Sequence, residues 1–255
     1  MSDHGYVAAK SNLPQPAYRQ EAYPGGMLFV LSSAKGSPVD EERFNTWYDT
    51  DHGPLRRSCP GVLDATRYQA TDGRLPEWLA TYELTSPDVL QSKQYKAQWA
   101  NQPEWEKKML GDLAILDRRV YRFISRKTAL DYTARAREGH IFQYVGIEPS
   151  ARLGTTELDR WYAEEHIPLL SSVPGWLRST RLELVDAAGA AGSRVNANED
   201  KIPQFIAIHE WDTAQIFEHS EFKRAISTEW RNSVMERQNK DKEERRTWQL
   251  YKKWE

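Results

Sequence analysis

The sequence predicts an α+β protein that consists of two copies of one βαββαβ unit. The first observation is an internal repeat: residues 44–68 (FNTWYDTDHGPLRRSCPGVLDATRY) align without a gap on residues 158–182 (LDRWYAEEHIPLLSSVPGWLRSTRL), and 11 of the 25 aligned positions are identical. The second is that hydrophobic periodicity gives the same order of strands and helices around both segments. The 255 residues, 39% of them hydrophobic, suffice for two small units with their own cores.

The elements of the first copy follow in a fixed order. We predict a strand, a helix, two strands, a long helix and a closing strand at residues 27–33, 40–52, 63–69, 78–84, 87–111 and 119–125. Asp40 is a suitable N-cap for the first helix. Pro54 is expected to end it, because proline lacks the backbone donor and disfavours α geometry in the residue before it.

The second copy repeats that order. Its predicted elements are residues 141–147, 155–166, 177–185, 205–211, 214–238 and 246–252, with Thr155 or Thr156 as the N-cap and Pro168 as the end of the first helix. Beyond the repeat the offset rises from 114 to 127, because a Gly/Ala/Asn-rich surface loop at 186–201 is longer than its counterpart.

A βαββαβ unit forms a ferredoxin-like sheet with helices on one face and a bare second face. Two such sheets placed face to face bury their bare faces and form a barrel. We therefore predict two ferredoxin-like units in tandem, residues 26–128 and 139–255, with a polar linker at 129–138. Residues 1–25 contain three prolines and no periodicity, which is typical of a flexible arm.

Composition excludes several classes of function. The net charge is −2 and no basic stripe occurs, so we expect no nucleic-acid partner. No apolar stretch approaches a membrane span, and the single cysteine, Cys59, precludes an internal disulfide; both features favour a cytoplasmic protein without membrane contact. Cys59 lies between Ser58 and Pro60, a context more typical of a small turn or core residue than of a nucleophile.

Each copy has the same aromatic and histidine motif. It reads Trp47-Tyr48-x-x-x-His52-x-Pro54 in the first and Trp161-Tyr162-x-x-x-His166-Ile167-Pro168 in the second, with a Pro-Gly turn eight residues after the histidine. With this motif, residues 26–255 resemble the dimeric α/β-barrel superfamily, and most closely its EthD-like branch. The family includes polyketide cyclases, isomerases, dehydratases, decarboxylases, cofactor-free monooxygenases, haem enzymes and proteins without known activity, so the resemblance leaves the reaction open.

The motif has a chemical consequence. The i,i+4 spacing places Tyr48 with His52, and Tyr162 with His166, on one helix face. At a helix C-terminus the dipole raises a histidine pKa and desolvation lowers it, so a value near neutrality is expected, as a general acid/base needs. Tyrosine beside it would stabilise an enolate. Alternatively, the histidines cap the helix carbonyls. Similarity to a bacterial chalcone isomerase implies His52 as the acid/base, whereas His166 has the family's Ile-Pro context.

Other repeated residues are weaker candidates. Trp47 and Trp161 are expected to anchor the core rather than stack on a ligand. Arg67 and Arg181 would clamp a carboxylate or, more simply, pair with Asp51 or Glu165. Strand alternation predicts that either Tyr82 and His209, or instead Glu83 and Glu210, point into the barrel as substrate-binding residues. His4, His140 and His219 lack such context and are expected on the surface.

Neither spacing nor motifs indicate a cofactor. There is no metal-binding spacing, phosphate loop or dinucleotide fingerprint. Haem, which needs a single axial histidine, stays a minor alternative through the resemblance.

We therefore expect a cofactor-independent cyclase, isomerase or lyase acting on an aromatic or polyketide-like molecule. It would have a deep barrel cavity with His and Tyr at its mouth. The alternatives are a cofactor-free monooxygenase and a non-catalytic binding or stress-response protein, for which the barrel interior would be packed. We also expect a homodimer.

Overall fold

The computed structural model describes residues 18–132, 140–187 and 201–255. Its strands are β1 Tyr18–Gln20, β2 Gly26–Ser33, β3 Val62–Ala70, β4 Trp78–Leu84, β5 Ile115–Ala129, β6 Ile141–Ile147, β7 Trp176–Ala187, β8 Phe205–Trp211 and β9 Glu244–Trp254. Its α-helices are α1 Glu41–Trp47, α2 Gly53–Arg57, α3 Lys93–Ala100, α4 Glu104–Gly111, α5 Thr155–Trp161, α6 Ile167–Leu170, α7 Ser220–Ala225 and α8 Glu229–Arg237. The βαββαβ order is present in both repeats.

The two sheets close into one antiparallel barrel. The strands follow the order β5-β2-β4-β3-β9-β6-β8-β7, and β7 pairs with β5 to complete the ring. The repeats are therefore hydrogen-bonded to each other along two seams, β3–β9 and β5–β7. This confirms the predicted ferredoxin-like units and the barrel, and it adds that the sheets join at their edges as well as meeting across the interior.

Side-chain alternation divides the core into three parts. Inside the barrel lie large residues that include Phe29, Tyr121, Phe142, Tyr144 and Trp248. An eight-stranded barrel is just wide enough to be filled by such side chains. Outside it, each sheet packs against the helices of its own repeat through a separate apolar cluster. The space between sheet and helices is therefore distinct from the barrel interior.

The predicted helix ends were wrong at Pro54 and Pro168. The chain passes through one π-helical turn, Tyr48–His52 or Tyr162–His166, and continues as α2 or α6. In a π turn the backbone N–H of residue i+5 donates to the carbonyl of residue i. Pro54 has no backbone N–H, so the Asp49 carbonyl is the one that this turn leaves without a helical partner. That carbonyl accepts hydrogen bonds from Trp254 Nε1 and Lys252 Nζ, each at 3.2 Å.

Other boundaries differ from the prediction for local reasons. Asp40 caps α1 by accepting from the Arg43 amide at 2.6 Å, but α5 begins after Gly154 (φ +69°) and neither Thr155 nor Thr156 is its cap. Residues 87–111 form a 3₁₀ turn, α3 and α4 instead of one helix, because Ser92 caps α3 and Pro103 interrupts the backbone bonding.

The second copy has the same break. Residues 214–238 form a 3₁₀ turn, α7 and α8, and Thr228 caps α8.

The N-terminal arm and the linker are described in part. Tyr18–Gln20 of the predicted arm form β1 and pair with β5, whose last residue is Ala129, the first residue of the predicted linker. Residues 1–17 and 133–139, and 188–200 of the predicted surface loop, lie outside the described residues. Within the described part of the chain, no helix is long and apolar enough to cross a membrane.

Candidate active site in the second repeat

A cavity of about 210 Å³ separates the sheet of the second repeat from its helices. Tyr162 and His166 line it from the π turn, and His209 lines it from β8. Its other lining residues are mostly apolar: Val145, Ile147, Trp161, Leu170, Phe217, Phe222, Ile226 and Met235, together with Gln143, Arg231 and Arg245. The histidine–tyrosine cavity thus lies behind the sheet, and the prediction that it opens from the barrel interior was wrong, because aromatic side chains occupy the middle of the barrel. A packed interior is what the non-catalytic alternative predicts, so a catalytic role depends on the cavity behind the sheet.

The π turn places His166 at the inner end of this cavity. Its ring stacks on Trp161 (centroids 4.3 Å apart, 20° between planes) and meets the His209 ring edge to face at 5.8 Å. His166 is 8% exposed, and its Nδ1 has no hydrogen-bond partner. A hydrogen bond to the Ala225 backbone acts to raise its pKa, so the other ring nitrogen must donate that bond. In the neutral imidazole Nδ1 is then an unprotonated acceptor.

A short hydrogen-bonded chain leads from Trp176 to His209. Trp176 Nε1 donates to Ser179 Oγ at 3.0 Å, and Ser179 Oγ lies 2.8 Å from His209 Nδ1. Since Ser179 already accepts from the indole, its own proton is available for Nδ1. In the tautomer in which Ser179 is the donor, the proton of the neutral ring lies on Nε2, which is buried and has no partner among the described residues. His166 Nδ1 is therefore an unpartnered acceptor, and in this tautomer His209 Nε2 is an unpartnered donor.

Both imidazoles are held neutral. Burial lowers the pKa of His166 well below its usual value, and His209, Arg231 and Arg245 lower it further. Burial, followed by the cations Arg245 and Arg181, lowers the pKa of His209 to about 3. The expected balance near neutrality was wrong for two reasons: the helix continues past His166, so no terminal dipole favours the cation, and aromatic rings replace water around it.

Tyr162 completes the group from the same helix face. It is 2% exposed, its ring is 5.6 Å from that of His166, and the described residues offer no hydrogen bond to its hydroxyl. Burial raises the pKa of Tyr162, so at neutral pH it is a hydrogen-bond donor. The guanidinium of Arg181 lies 4.3 Å from the ring centroid and forms an ion pair with Asp159, so it holds the helix on the sheet behind the tyrosine.

The matching space in the first repeat is nearly filled. Only about 30 Å³ remain among Tyr48, His52, Tyr82 and their neighbours. The Tyr48 and Tyr82 hydroxyls bond to each other at 2.8 Å. Arg56, which replaces Leu170 of the second repeat, is 2% exposed and lies over Trp99 at 4.5 Å. Polar and aromatic groups of the protein therefore occupy the volume that a ligand would need.

His52 has a different setting from His166. Its ring lies 4.5 Å from Trp47 and 4.9 Å from Tyr48, and it is partly exposed. Burial, with Arg56 and Arg67, lowers the pKa of His52 well below its usual value. Gly53, the next residue, leaves no open space beside it, because a Cβ there would lie 2.3 Å from the ring of Trp254.

The remaining repeated residues, the paired tryptophans and arginines, contact neighbouring elements of the protein, and Trp161 also lines the cavity. Trp47 donates to Glu106 at 2.9 Å and Trp161 donates to Glu165 at 3.2 Å, and both indoles are buried. Arg67 pairs with Asp49 rather than Asp51, and Arg181 pairs with Asp159 rather than Glu165. The predicted partners were wrong because the carboxylate that reaches the arginine lies two positions earlier in the first repeat and six positions earlier in the second.

Strand alternation sends Glu83 and Glu210 into the barrel and sends Tyr82 and His209 towards the helices. Glu83 pairs with Arg126, and Glu210 pairs with Arg178 at 2.6 Å. His140 was expected on the surface but is buried 3.1 Å from Glu210, because it immediately precedes β6 at this charged barrel end. A larger, polar cavity of about 620 Å³ opens there. Two of its arginines, Arg126 and Arg178, already have carboxylate partners, and the third, Arg57, donates to the Val62 carbonyl at 3.0 Å.

The other candidates of the sequence lie away from the cavity. Cys59 is buried and burial raises the pKa of its thiol, which suits a core residue. His219 is partly exposed at the start of α7, and His4 lies outside the described residues. In the described ranges no three His, Cys, Asp or Glu side chains are grouped as a metal site would require.

Sequence reasoning missed four residues of the site. Trp176 and Ser179 stand where the first repeat has Val62 and Ala65, and Arg231 and Arg245 line the cavity from α8 and β9. The sequence did contain a signal for Trp176 and Ser179. They differ from the aligned residues of the first repeat although neighbouring positions are shared, and such differences indicate that the two repeats have different roles.

Comparison with known proteins supports the fold. No family model matches the chain, and no curated protein matches it. An anthrone oxidase-like protein of known structure is similar over 93% of this chain and 95% of its own, with 14% identity and a TM-score of 0.62. A "putative monooxygenase" from Fusobacterium nucleatum is similar over 91% and 95% (10% identity, TM-score 0.54), and one from Lactobacillus acidophilus over 91% and 96% (9% identity, TM-score 0.52).

At these identities the similarity concerns the fold alone. The chain has the dimeric α/β-barrel fold, with both halves of the barrel in one polypeptide.

Proposed function

We propose that the second repeat contains the active site of a cofactor-independent enzyme that acts on a small aromatic or polyketide-like molecule by general acid/base catalysis. One observation carries the proposal: two buried imidazole nitrogens of opposite character, His166 Nδ1 and His209 Nε2, line one mostly apolar cavity and lack partners. A buried polar atom without a partner is costly, and these two lie beside open volume, which favours a role towards a ligand.

The three side chains can divide the work of a proton transfer. His166 Nδ1, which the lowered pKa keeps unprotonated, takes a proton from a carbon next to a substrate carbonyl, and the negative charge of the enolate formed beside it offsets the cost of the buried imidazolium. His209 Nε2–H and the Tyr162 hydroxyl donate hydrogen bonds to that carbonyl oxygen as it becomes an enolate. His166 then returns the proton to a different atom, which gives an isomer or a cyclised product. No net charge or electron is left on the protein.

The volume limits what binds. A cavity of about 210 Å³ lies below the roughly 300–1,000 Å³ typical of pockets for drug-sized ligands, and above the roughly 150 Å³ that accommodates benzene. We therefore propose a substrate built on one aromatic ring whose substituents reach the rim. A haem macrocycle exceeds this volume, so we propose no haem.

Oxygenation is the second candidate. The same base would generate an enolate or phenolate, and O₂ would oxidise that anion, with one oxygen atom inserted in the product and the other released as water. The similarity to an anthrone oxidase-like protein and to the two "putative monooxygenase" structures favours this candidate.

Deuterium exchange tests the proposal whatever the final product of the reaction is. Hydroxyacetophenones in D₂O are incubated with the protein, and loss of the methyl C–H signal is followed by NMR. We expect exchange above the buffer rate for the wild type and its loss in His166→Ala. Exchange at the buffer rate for every compound, or equal exchange in His166→Ala, would contradict acid/base catalysis here. Repeating the incubation with and without O₂ distinguishes isomerisation, with unchanged product mass, from oxygenation.

A further inference from the structure

The rim of the second-repeat cavity carries more positive than negative charge. Arg231 and Arg245 both line the cavity, and both are more exposed than His166 and His209. They therefore stand at its open side, with the histidines below them. Arg231 forms no ion pair within the described residues; its guanidinium donates only to Asn232, at 3.2 Å.

The carboxylate that pairs with Arg245 is already shared. Glu243 accepts from Arg245 at 2.6 Å, from Gln238 at 2.8 Å and from Lys240 at 3.2 Å. The single negative charge of Glu243 is thus already shared by two cations, Arg245 and Lys240, and Arg231 is a third cation near it. Burial lowers the pKa of Arg231, and the like charge of Arg245 lowers it further. Two guanidinium groups close enough to repel each other are stabilised when an anion lies between them.

The same two cations act on the proposed catalytic groups. Arg245 lowers the pKa of Tyr162, His166 and His209, and Arg231 lowers that of His166. An anion bound at the rim would offset this field while the aromatic part of the ligand occupies the apolar cavity beneath it. In the first repeat the arginine at the same strand register, Arg118, lines a space of only about 30 Å³.

We propose that Arg231 and Arg245 form a carboxylate subsite, so that the ligand of this cavity is an aromatic acid. Its ring lies against Trp161 and Phe222, and its carboxylate lies at the rim between the two guanidinium groups. This inference rests on the proposed function for the location of the site, but it concerns recognition and is tested by binding alone.

The test compares two probes of the same shape, benzoate and benzamide, by calorimetric titration at low salt. Wild-type protein is expected to bind benzoate about tenfold more tightly, as a charge-assisted contact provides. Arg231→Gln and Arg245→Gln should each lose about that factor for benzoate and leave benzamide unchanged. Arg224→Gln, an exposed arginine of α7 outside the cavity, is the control for net charge and should behave like wild type.

Added salt provides a second measurement. At high ionic strength benzoate binding should weaken and benzamide binding should not, because screening acts on the charged probe only. Equal affinities for the two probes, or unchanged benzoate binding in both cavity-rim variants with intact thermal unfolding, would overturn the carboxylate subsite. If the discrimination holds but His166→Ala keeps full deuterium exchange, the subsite stands and the acid/base function fails.

Discussion

Replacing each motif histidine separately tests whether the two repeats have different roles. We expect His166→Ala to lower kcat about 10²–10⁴-fold, which corresponds to about 3–5 kcal/mol of transition-state stabilisation. We expect His52→Ala to leave kcat nearly unchanged. The reason is volume: about 210 Å³ are open beside His166 and about 30 Å³ beside His52, where Tyr82 and Arg56 already occupy the space.

Stability should respond to both substitutions, and more to the replacement of His166. His166 loses a stacked contact with Trp161 and a hydrogen bond to the Ala225 backbone, together worth about 2 kcal/mol. His52 loses its ring contacts with Trp47 and Tyr48, worth about 1 kcal/mol. For a chain of this size, 1 kcal/mol shifts Tm by about 2–4 °C.

The assay pairs a rate with a melting curve for each variant. The rate is deuterium exchange into a hydroxyacetophenone, and Tm comes from circular dichroism. His166→Gln serves as the matched control, because it keeps a polar side chain but provides no basic nitrogen. Equal rates for the wild type and His166→Ala, or a larger rate loss in His52→Ala, would refute the argument from cavity volume.

Three further predictions concern the pH dependence of stability, the space for a ligand and the oligomeric state. The folded pKa of His209, about 3, lies below the unfolded value of about 6.5, so only the unfolded chain takes up a proton between these values. The free energy of unfolding should therefore fall by up to about 1.4 kcal/mol per pH unit on acidification through that window. Urea titrations at several pH values should give a smaller dependence of this free energy on pH for His209→Gln than for the wild type. Equal pH dependence in the two proteins would be the contrary result. Ile226→Trp introduces the aromatic residue that the first repeat has as Trp99 and should abolish benzoate binding with the fold retained; calorimetry that detects normal binding would contradict it. A homodimer is still our prediction, although the barrel closes within one chain, and light scattering that detects only monomer would reject it.

The sequence alone determined the architecture because architecture follows from periodic and repeated signals. The repeated Trp47-Tyr48 and Trp161-Tyr162 segments, with strands of the right length around them, require two equal units, and two bare sheet faces require each other. The motif also contained two residues of the proposed site, since i,i+4 spacing places Tyr162 beside His166 on any helix. Those inferences need only local geometry.

Only the tertiary structure decided which repeat has room for a ligand and where that room lies. Cavity volume depends on how side chains distant in sequence fill one space: Arg56 over Trp99 fills it in the first repeat, whereas Leu170 and Ile226 leave it open in the second. The low pKa values of His166 and His209 likewise arise from burial between a sheet and two helices. Burial and distance are properties of the folded chain, and no single-residue pattern encodes them.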